Sequence, residues 1–204
     1  MDPTGAVIAF LAAYLWGGIP TADLIARSRG IDLRAAGSRN PGANNALRLG
    51  GKGLGIAVLV VEVFKGFLAA SVGGWLAGDG GMAASSVGAL AGNVFNPYYR
   101  GRGGKGLGIT AGLTLGAWPT FLPVVLAISA AGFVLTRRSG IATLMIAGAF
   151  LLGAALWTAY TWPTAWGLQS GPALVWLGAG VACLLVPRAV KDSVHPMNLD
   201  AAPM

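Results

Sequence analysis

Long apolar stretches separated by short basic loops restrict what this chain can fold into more than any other feature. The apolar stretches fall at about residues 5–26, 53–77, 83–99, 107–118, 119–135, 141–160 and 171–187. Only 10% of the residues are charged, against about 25% in an ordinary soluble domain. The 33 glycines would let transmembrane helices approach each other closely. We therefore predict an all-α integral membrane protein, a compact bundle of about seven transmembrane helices in which residues 1–204 form a single domain.

The apolar stretch that follows Lys105 has to be divided. It is longer than the roughly 20 residues of a perpendicular span, and Trp118-Pro119 lies near its middle. Proline interrupts the backbone hydrogen-bond ladder and can mark a tight turn. We therefore divide the stretch at this step into two short spans.

The basic residues assign each loop to one side of the membrane. With the N-terminus outside, the crossings place residues 27–52, 100–105, 137–138 and the C-terminal tail on the same side, and these segments hold 13 of the 14 Lys and Arg residues. Cytoplasmic loops carry the excess of Lys and Arg, so we predict an outside N-terminus and a cytoplasmic C-terminus. Because the charge is spread over short loops, no nucleic-acid partner is expected; anionic lipid or a phosphorylated substrate fits better.

The first cytoplasmic loop combines cations with neutral hydrogen-bonding groups. Residues 31–53 read IDLRAAGSRNPGANNALRLGGKG. Ser38, Asn40 and Asn45 stand beside Arg34 and Arg48, a mixture that suits an anion. The Asn-Pro-Gly step can open a short helix whose free amides would face a bound phosphate. The alternative is a solvated basic loop that only follows the charge rule.

The second loop, YYRGRGGKGLG at residues 98–108, is rich in glycine. Consecutive glycines let backbone amides approach a ligand, and Lys105 adds a positive charge at the start of the next helix. The pattern resembles a phosphate cradle, but it is not a Walker A loop because Gly106 follows the lysine. A flexible turn is the alternative, although two such loops on one membrane face favour a functional site.

Glu62 and Lys65 lie three residues apart in a helix predicted to begin near Gly53, so they share one face inside the membrane. Charge inside a membrane is costly and by default indicates a functional site. The alternative is a structural ion pair without a chemical role. Lys65 could also extend toward the cytoplasmic loops.

The sequence offers little support for a metal site or for a catalytic triad with a nucleophile. His195 is the only histidine and Cys183 the only cysteine, so we expect no metal site, no internal disulfide and no cofactor. Ser38 has no histidine nearby in sequence that would mark a nucleophile triad. A lone tail histidine such as His195 is usually only solvated.

Four segments in order along the chain form a familiar combination. They are GSRNPGANNALR at 37–48, EVFKG at 62–66, GNVFNPYYRGRGGKG at 92–106 and HPMN at 195–198. Together they resemble the PlsY-type acylphosphate:glycerol-3-phosphate acyltransferases, and IPTADLIAR at 19–27 looks like that family's first helix. The resemblance implies a multi-pass enzyme of the bacterial inner membrane with a cytoplasmic active site, in agreement with the topology argued from charge.

The resemblance also implies a reaction and a set of site residues. A fatty acyl group would pass from acyl phosphate to the first hydroxyl of glycerol 3-phosphate, giving lysophosphatidic acid and phosphate. An acyl phosphate has a good leaving group, so cations and amides suffice for catalysis. The catalytic candidates are Ser38, Lys105, Asn93 and His195. The substrate-binding candidates are Asn40, Asn45, Arg48, Lys65, Gly103, Gly104, Gly106 and Asn198.

Departures from the family pattern keep alternatives open. The family usually has histidine where this chain has Asn93, and aspartate where it has Glu62. These changes bear on turnover and acceptor choice more than on fold. The alternatives are a divergent paralogue that acylates another acceptor, an inactive membrane partner, and a transporter of phosphorylated anions. Against a transporter, the charges cluster on one membrane face.

Overall fold

The structure of the protein, a computed structural model, describes residues 2–136 and 139–194. The helices of this part of the chain are α1 (Pro3–Gly18), α2 (Thr21–Arg27), α3 (Ala43–Val94), α4 (Leu107–Ala117), α5 (Leu122–Thr136), α6 (Ser139–Ala159) and α7 (Pro172–Val194). Two short 3-10 helices, Pro97–Tyr99 and Pro119–Phe121, lie in the turns. The candidate site residues His195 and Asn198 lie outside the described residues.

Helix α3 is a hairpin rather than one rod. Non-helical backbone at Gly51 and at residues 77–78 divides it into a short segment, 43–50, and two legs, 52–76 and 79–94. Glu62 of the first leg accepts a hydrogen bond from Asn93 of the second. A straight helix would hold two residues at this separation about 46 Å apart. The chain therefore reverses at residues 77–78, between two of the predicted apolar stretches.

The membrane-spanning prediction agrees with the lengths of the helices. Among the described residues, four helices are long and apolar enough to cross a bilayer: Pro3–Arg27, Ala43–Tyr99, Gly140–Ala159 and Pro172–Val190. The first leads from α1 into α2, and the second contains both legs of α3. Helices α4 and α5 are shorter, and the chain leaves α4 at Trp118 and turns at Pro119. The all-α membrane fold is confirmed, and the predicted stretches overlap with these helices and legs, the first stretch running over both α1 and α2. The number of crossings and the sides of the termini stay predictions.

Glycines allow several helices to touch backbone to backbone. Gly17 of α1 lies against the backbone of Ala89 in leg 79–94, and Gly112 of α4 lies against the carbonyl of Val63 in leg 52–76. A Cβ at either glycine would collide with that backbone. Close approach of this kind is the usual role of small residues between transmembrane helices. It brings α1, α4 and both legs of α3 around one centre.

Two apolar clusters support this centre. In the larger one, Trp118 stacks on Phe121 with ring centroids 3.9 Å apart and meets Phe150 edge-on at 6.0 Å. The smaller cluster consists of Ala22, Ala26, Leu33, Ala46, Leu54 and Val58. Because its members come from α2, the first loop and α3, it seats the first loop against the helices.

We expect Gly112→Ala to lower the melting temperature of the purified protein. The added methyl group would meet the Val63 carbonyl, and overpacking of this kind typically costs about 1–3 kcal/mol. Gly148→Ala in α6 is the matched control, because a Cβ there meets nothing within 4 Å. Thermal unfolding in detergent compares the two variants. Equal melting temperatures would show that the α3–α4 approach does not limit stability.

Candidate active site

A buried ion pair lies at the centre of the site. Lys65 is 2% exposed, and its Nζ is 3.2 Å from Glu62 Oε1. The same ammonium donates to the Ile19 carbonyl at 2.8 Å and to Thr21 Oγ1 at 3.3 Å. These three acceptors match the three protons of the ammonium group. Lys65 therefore points to the link between α1 and α2 and serves the protein's own structure there.

Asn93 extends this network toward the glycine-rich loop. Its Nδ2 donates to Glu62 Oε2 at 2.8 Å, and its backbone carbonyl accepts from the Gly104 amide at 3.0 Å. A Cβ built on Gly104 would lie 3.4 Å from Asn93 Oδ1. Because the amide nitrogen is engaged by Glu62, the side-chain oxygen is the group that Asn93 presents to the loop.

The glycine-rich loop docks on the end of leg 79–94. The amides of Gly103 and Gly104 donate to the carbonyls of Val94 and Asn93 at 3.2 and 3.0 Å, and a Cβ on Gly103 would collide with the Asn93 carbonyl. These two amides thus hold the loop in place, whereas the sequence suggested that they would face a ligand. Gly106, at φ 78°, starts α4, whose first-turn amides have no partners within the helix.

Asn45 shapes the first loop from within. Its Oδ1 accepts from the Ser38 amide at 2.9 Å, and its Nδ2 donates to the carbonyls of Leu33 and Ala36 at 2.9 and 3.2 Å. The predicted short helix is present as segment 43–50. Asn45 is buried, so its bonds fix the position of Ser38 in the loop.

The two loops meet at Gly104. A Cβ there would lie 3.3 Å from the Pro41 carbonyl and 4.0 Å from Asn40 Oδ1. The structure thereby brings the predicted site residues Asn40, Asn93 and Gly104 together. Half-buried Lys105 follows directly in the chain, while Arg48 is exposed on segment 43–50.

Asp23 and Arg34 join the loops, although the sequence patterns did not single out Asp23. Arg34 Nε donates to Asp23 Oδ2 at 2.7 Å, and Arg34 Nη1 donates to the Arg102 carbonyl at 2.7 Å. The guanidinium lies 3.8 Å over the Tyr99 ring, a cation–π contact. Arg34 thus ties the first loop to α2 and to the second loop. One signal was available, since Asp23 is an acidic residue within an otherwise apolar predicted span.

Two further charged residues hold the loops. Asp32 Oδ1 accepts from the Arg34 amide at 2.8 Å, and this bond is the main reason that the pKa of Asp32 lies below its ordinary value. Arg188 of α7 donates to the carbonyls of Val94 and Gly101 at 2.7 and 3.1 Å. From the sequence, Arg188 counted only as a cytoplasmic charge. The structure makes it a brace for the glycine-rich loop.

Two cavities lie between these elements. The inner pocket has room for about one water-sized group, and its polar lining includes Asp23, Arg34, Glu62, Asn93 and Asn96. The outer groove is open, has a volume of about 560 Å³, and is lined by Arg34, Arg39, Arg100, Arg102 and Arg188 with two tyrosines and Gly103. Arg34 belongs to both walls, so it separates the small polar pocket from the basic groove.

Comparison with known proteins identifies relatives along most of the chain. Residues 7–193 match the family model described as glycerol-3-phosphate acyltransferase. A glycerol-3-phosphate acyltransferase of Pseudomonas paraeruginosa is 43% identical over 141 residues, covering 66% of this chain and 72% of that protein. Glycerol-3-phosphate acyltransferase 1 of Deinococcus radiodurans is 36% identical over 174 residues, covering 84% and 87%.

Solved structures show the same fold. The crystal structure of PlsY (YgiH), an integral membrane glycerol 3-phosphate acyltransferase, in its glycerol 3-phosphate form gives a TM-score of 0.76 at 22% identity, covering 93% of this chain and 90% of that chain. The lysophosphatidic acid form gives a TM-score of 0.75 at 21% identity, with the same coverage. The helical arrangement is therefore shared.

We expect Lys65→Met to destabilise the protein by about 3–5 kcal/mol, because Glu62 would remain buried without its cation. The double variant Glu62→Gln/Lys65→Met should lose less stability, since it leaves no unpaired buried charge. Denaturant unfolding in detergent measures both variants against the wild type. A double variant less stable than Lys65→Met would contradict the importance assigned to the pairing of these charges.

Proposed function

The chain belongs to the glycerol-3-phosphate acyltransferase family, and we propose that it acylates glycerol 3-phosphate in phospholipid biosynthesis with acyl phosphate as the donor. The products are lysophosphatidic acid and inorganic phosphate. One observation supports the proposal above all: the arginine-lined groove lies next to the junction of the two loops at Gly104. A phosphate bound in the groove would place a substrate beside the junction, where acyl transfer can occur. Since the relatives are named acyltransferases, an enzyme is favoured over the transporter alternative.

The outer groove is the proposed binding place for the substrate phosphates. Its described lining contains five arginines and no carboxylate. Arginine binds phosphate oxygens with charge-assisted, often bidentate hydrogen bonds. Arg34 and Arg188 are already anchored to the loops, so the charges they contribute are held in position before a substrate arrives. Such preorganisation lowers the entropic cost of bringing two substrates together.

Acyl transfer is proposed to occur at the loop junction around Gly104. The first hydroxyl of glycerol 3-phosphate attacks the acyl carbonyl carbon, a new carbon–oxygen ester bond forms, and the bond from that carbon to the phosphate oxygen breaks. The hydroxyl proton passes to a phosphate oxygen of a substrate. Lys105 and the first-turn amides of α4 stabilise the oxyanion that develops on the carbonyl. Asn93 Oδ1 orients the attacking hydroxyl as a hydrogen-bond acceptor.

The remaining candidates divide into binding and positioning residues. Ser38, Asn40 and Arg48 are proposed to contact the donor phosphate from the first loop. Asn45, Gly103 and Gly104 act through the loop shape, which their hydrogen bonds support, and Lys65 acts through Glu62 and Asn93. Gly106 lets α4 begin beside the substrate. His195 and Asn198 are also proposed to contact a substrate, and the support for this role is the tail motif.

The proposed reaction takes place at the cytoplasmic side of the bacterial inner membrane. Support comes from the excess of Lys and Arg in the loops that form the site, which is the pattern of cytoplasmic loops. The acyl chain of the donor lies among the apolar helices, while its phosphate reaches the groove.

Phosphate release from palmitoyl phosphate tests the function. Purified protein in detergent is assayed with and without glycerol 3-phosphate, and the lipid product is identified by mass spectrometry. Release that depends on glycerol 3-phosphate and yields lysophosphatidic acid is the expected result. Acceptor-independent release, or none, would contradict the proposal and favour a different acceptor or a lost activity.

We expect Lys105→Ala to lower turnover by about 100-fold or more, the usual effect of removing one group that stabilises an oxyanion. Lys52→Ala is the matched control, because Lys52 is exposed at the start of the first leg of α3 and takes no part in the proposed site. The same phosphate-release assay measures both variants, and melting temperatures verify that both are folded. Wild-type turnover in folded Lys105→Ala would remove the central role of this lysine.

A further inference from the structure

One carboxylate oxygen at the inner pocket is buried without a donor. Asp23 is 2% exposed; its Oδ2 accepts from Arg34, but its Oδ1 is buried with no hydrogen-bond partner. Leaving a buried acceptor unsatisfied is costly, more so when the group is charged. A carboxylate oxygen needs a donor, and Asp23 lines the inner pocket. The geometry therefore points to a hydrogen-bond donor that occupies this pocket during function.

The size and charge of the pocket restrict that donor. There is room for about one water-sized group, which is too little for a phosphate. The two carboxylates of the lining already have cations, since Glu62 pairs with Lys65 and Asp23 with Arg34. A further cation would be repelled by those two positive charges, and an anion would be repelled by the carboxylates. A neutral hydroxyl fits best.

The position of Arg34 indicates which molecule brings the hydroxyl. Arg34 lines both the inner pocket and the basic groove, so a ligand with its phosphate in the groove can place a hydroxyl on the far side of this residue. The acceptor assigned by the proposed function, on which this step rests, has two hydroxyls. The reacting one must meet the acyl carbon, which is too large to enter the pocket, so it lies just outside, at the Gly104 junction, where Asn93 and Gly104 form part of the pocket wall. The hydroxyl inside the pocket is therefore the one that does not react.

We propose that Asp23 Oδ1 accepts a hydrogen bond from the C2 hydroxyl of glycerol 3-phosphate and makes the site specific for an acceptor with two adjacent hydroxyls. Asp23 is then a specificity-determining residue that contacts the substrate but takes no proton from the reacting group. Its second oxygen keeps Arg34 in place between pocket and groove.

Equilibrium binding of two ligands tests this assignment. Isothermal titration compares glycerol 3-phosphate with 3-hydroxypropyl phosphate, which lacks only the C2 hydroxyl. Wild-type protein should bind the analogue about 10-fold or more weakly, because a site built to bind a hydroxyl through a charged group rejects a ligand without it. In Asp23→Ala, the affinity for glycerol 3-phosphate should fall close to that for the analogue. Asp79→Asn is the carboxylate control, since Asp79 is exposed at the turn between the two legs of α3 and lines neither the pocket nor the groove; it should keep the wild-type ratio.

The results that would contradict the role of Asp23 differ from those that would contradict the proposed function. Equal wild-type affinities for the two ligands, or no binding of either, would overturn the assignment and leave the oxygen solvated by water alone; this comparison requires no variant to fold. If Asp23 only braces Arg34, Asp23→Ala will weaken both ligands equally and preserve their ratio, which also overturns it. Because no acyl donor is present, a wild-type protein that shows the binding ratio but no turnover would contradict the acyl transfer and not the role of Asp23.

Discussion

The cost of burying charge among apolar helices is the constraint on which this structure depends. Lys65 and Glu62 offset this cost by pairing with each other and by bonding to neighbouring groups. The lysine donates its three protons to Glu62, Thr21 and the Ile19 carbonyl, and the glutamate also accepts a hydrogen bond from Asn93. From the first leg of α3 these bonds reach the α1–α2 link at Ile19 and Thr21 and the second leg at Asn93, so satisfying two charges fixes the link and both legs relative to one another. Breaking a buried pair costs far more than the pair itself contributes, which keeps this arrangement closed.

Charged side chains also hold the loops in place. Arg34 and Arg188 donate to backbone carbonyls of the second loop while they line the basic groove. An irregular loop of glycines has few side chains with which to hold its own shape, so cations from α7 and the first loop hold it from outside. The same side chains thereby combine structural support with the proposed attraction of phosphate.

Patterns local in sequence predicted the apolar stretches, the break at Pro119, the helix after Gly42 and the two loops of the site. Patterns of this kind say little about partners that lie far apart along the chain. Arg188 bonds to Val94 over 94 positions, and Arg34 bonds to Arg102 over 68; neither carbonyl has a sequence signature. For the same reason the direction of Lys65, into the protein and away from the loops, and the internal use of the Gly103 and Gly104 amides became visible only in three dimensions. Asp23 is different, because an acidic residue in an apolar stretch was a usable signal.

The shortness of α4 has a consequence for how the two proposed substrates would reach the candidate site. Its 11 residues rise about 16 Å, about half of the roughly 30 Å hydrocarbon layer. One end of α4 must therefore lie below the membrane surface. The end that carries Lys105 suits that depth, because irregular polar backbone is tolerated within a membrane where it lines a cavity, as this loop does. The proposed donor, an acyl phosphate, can then approach sideways within the bilayer, and the proposed acceptor, glycerol 3-phosphate, can enter from the aqueous phase, so that a lipid-soluble and a water-soluble molecule reach one site.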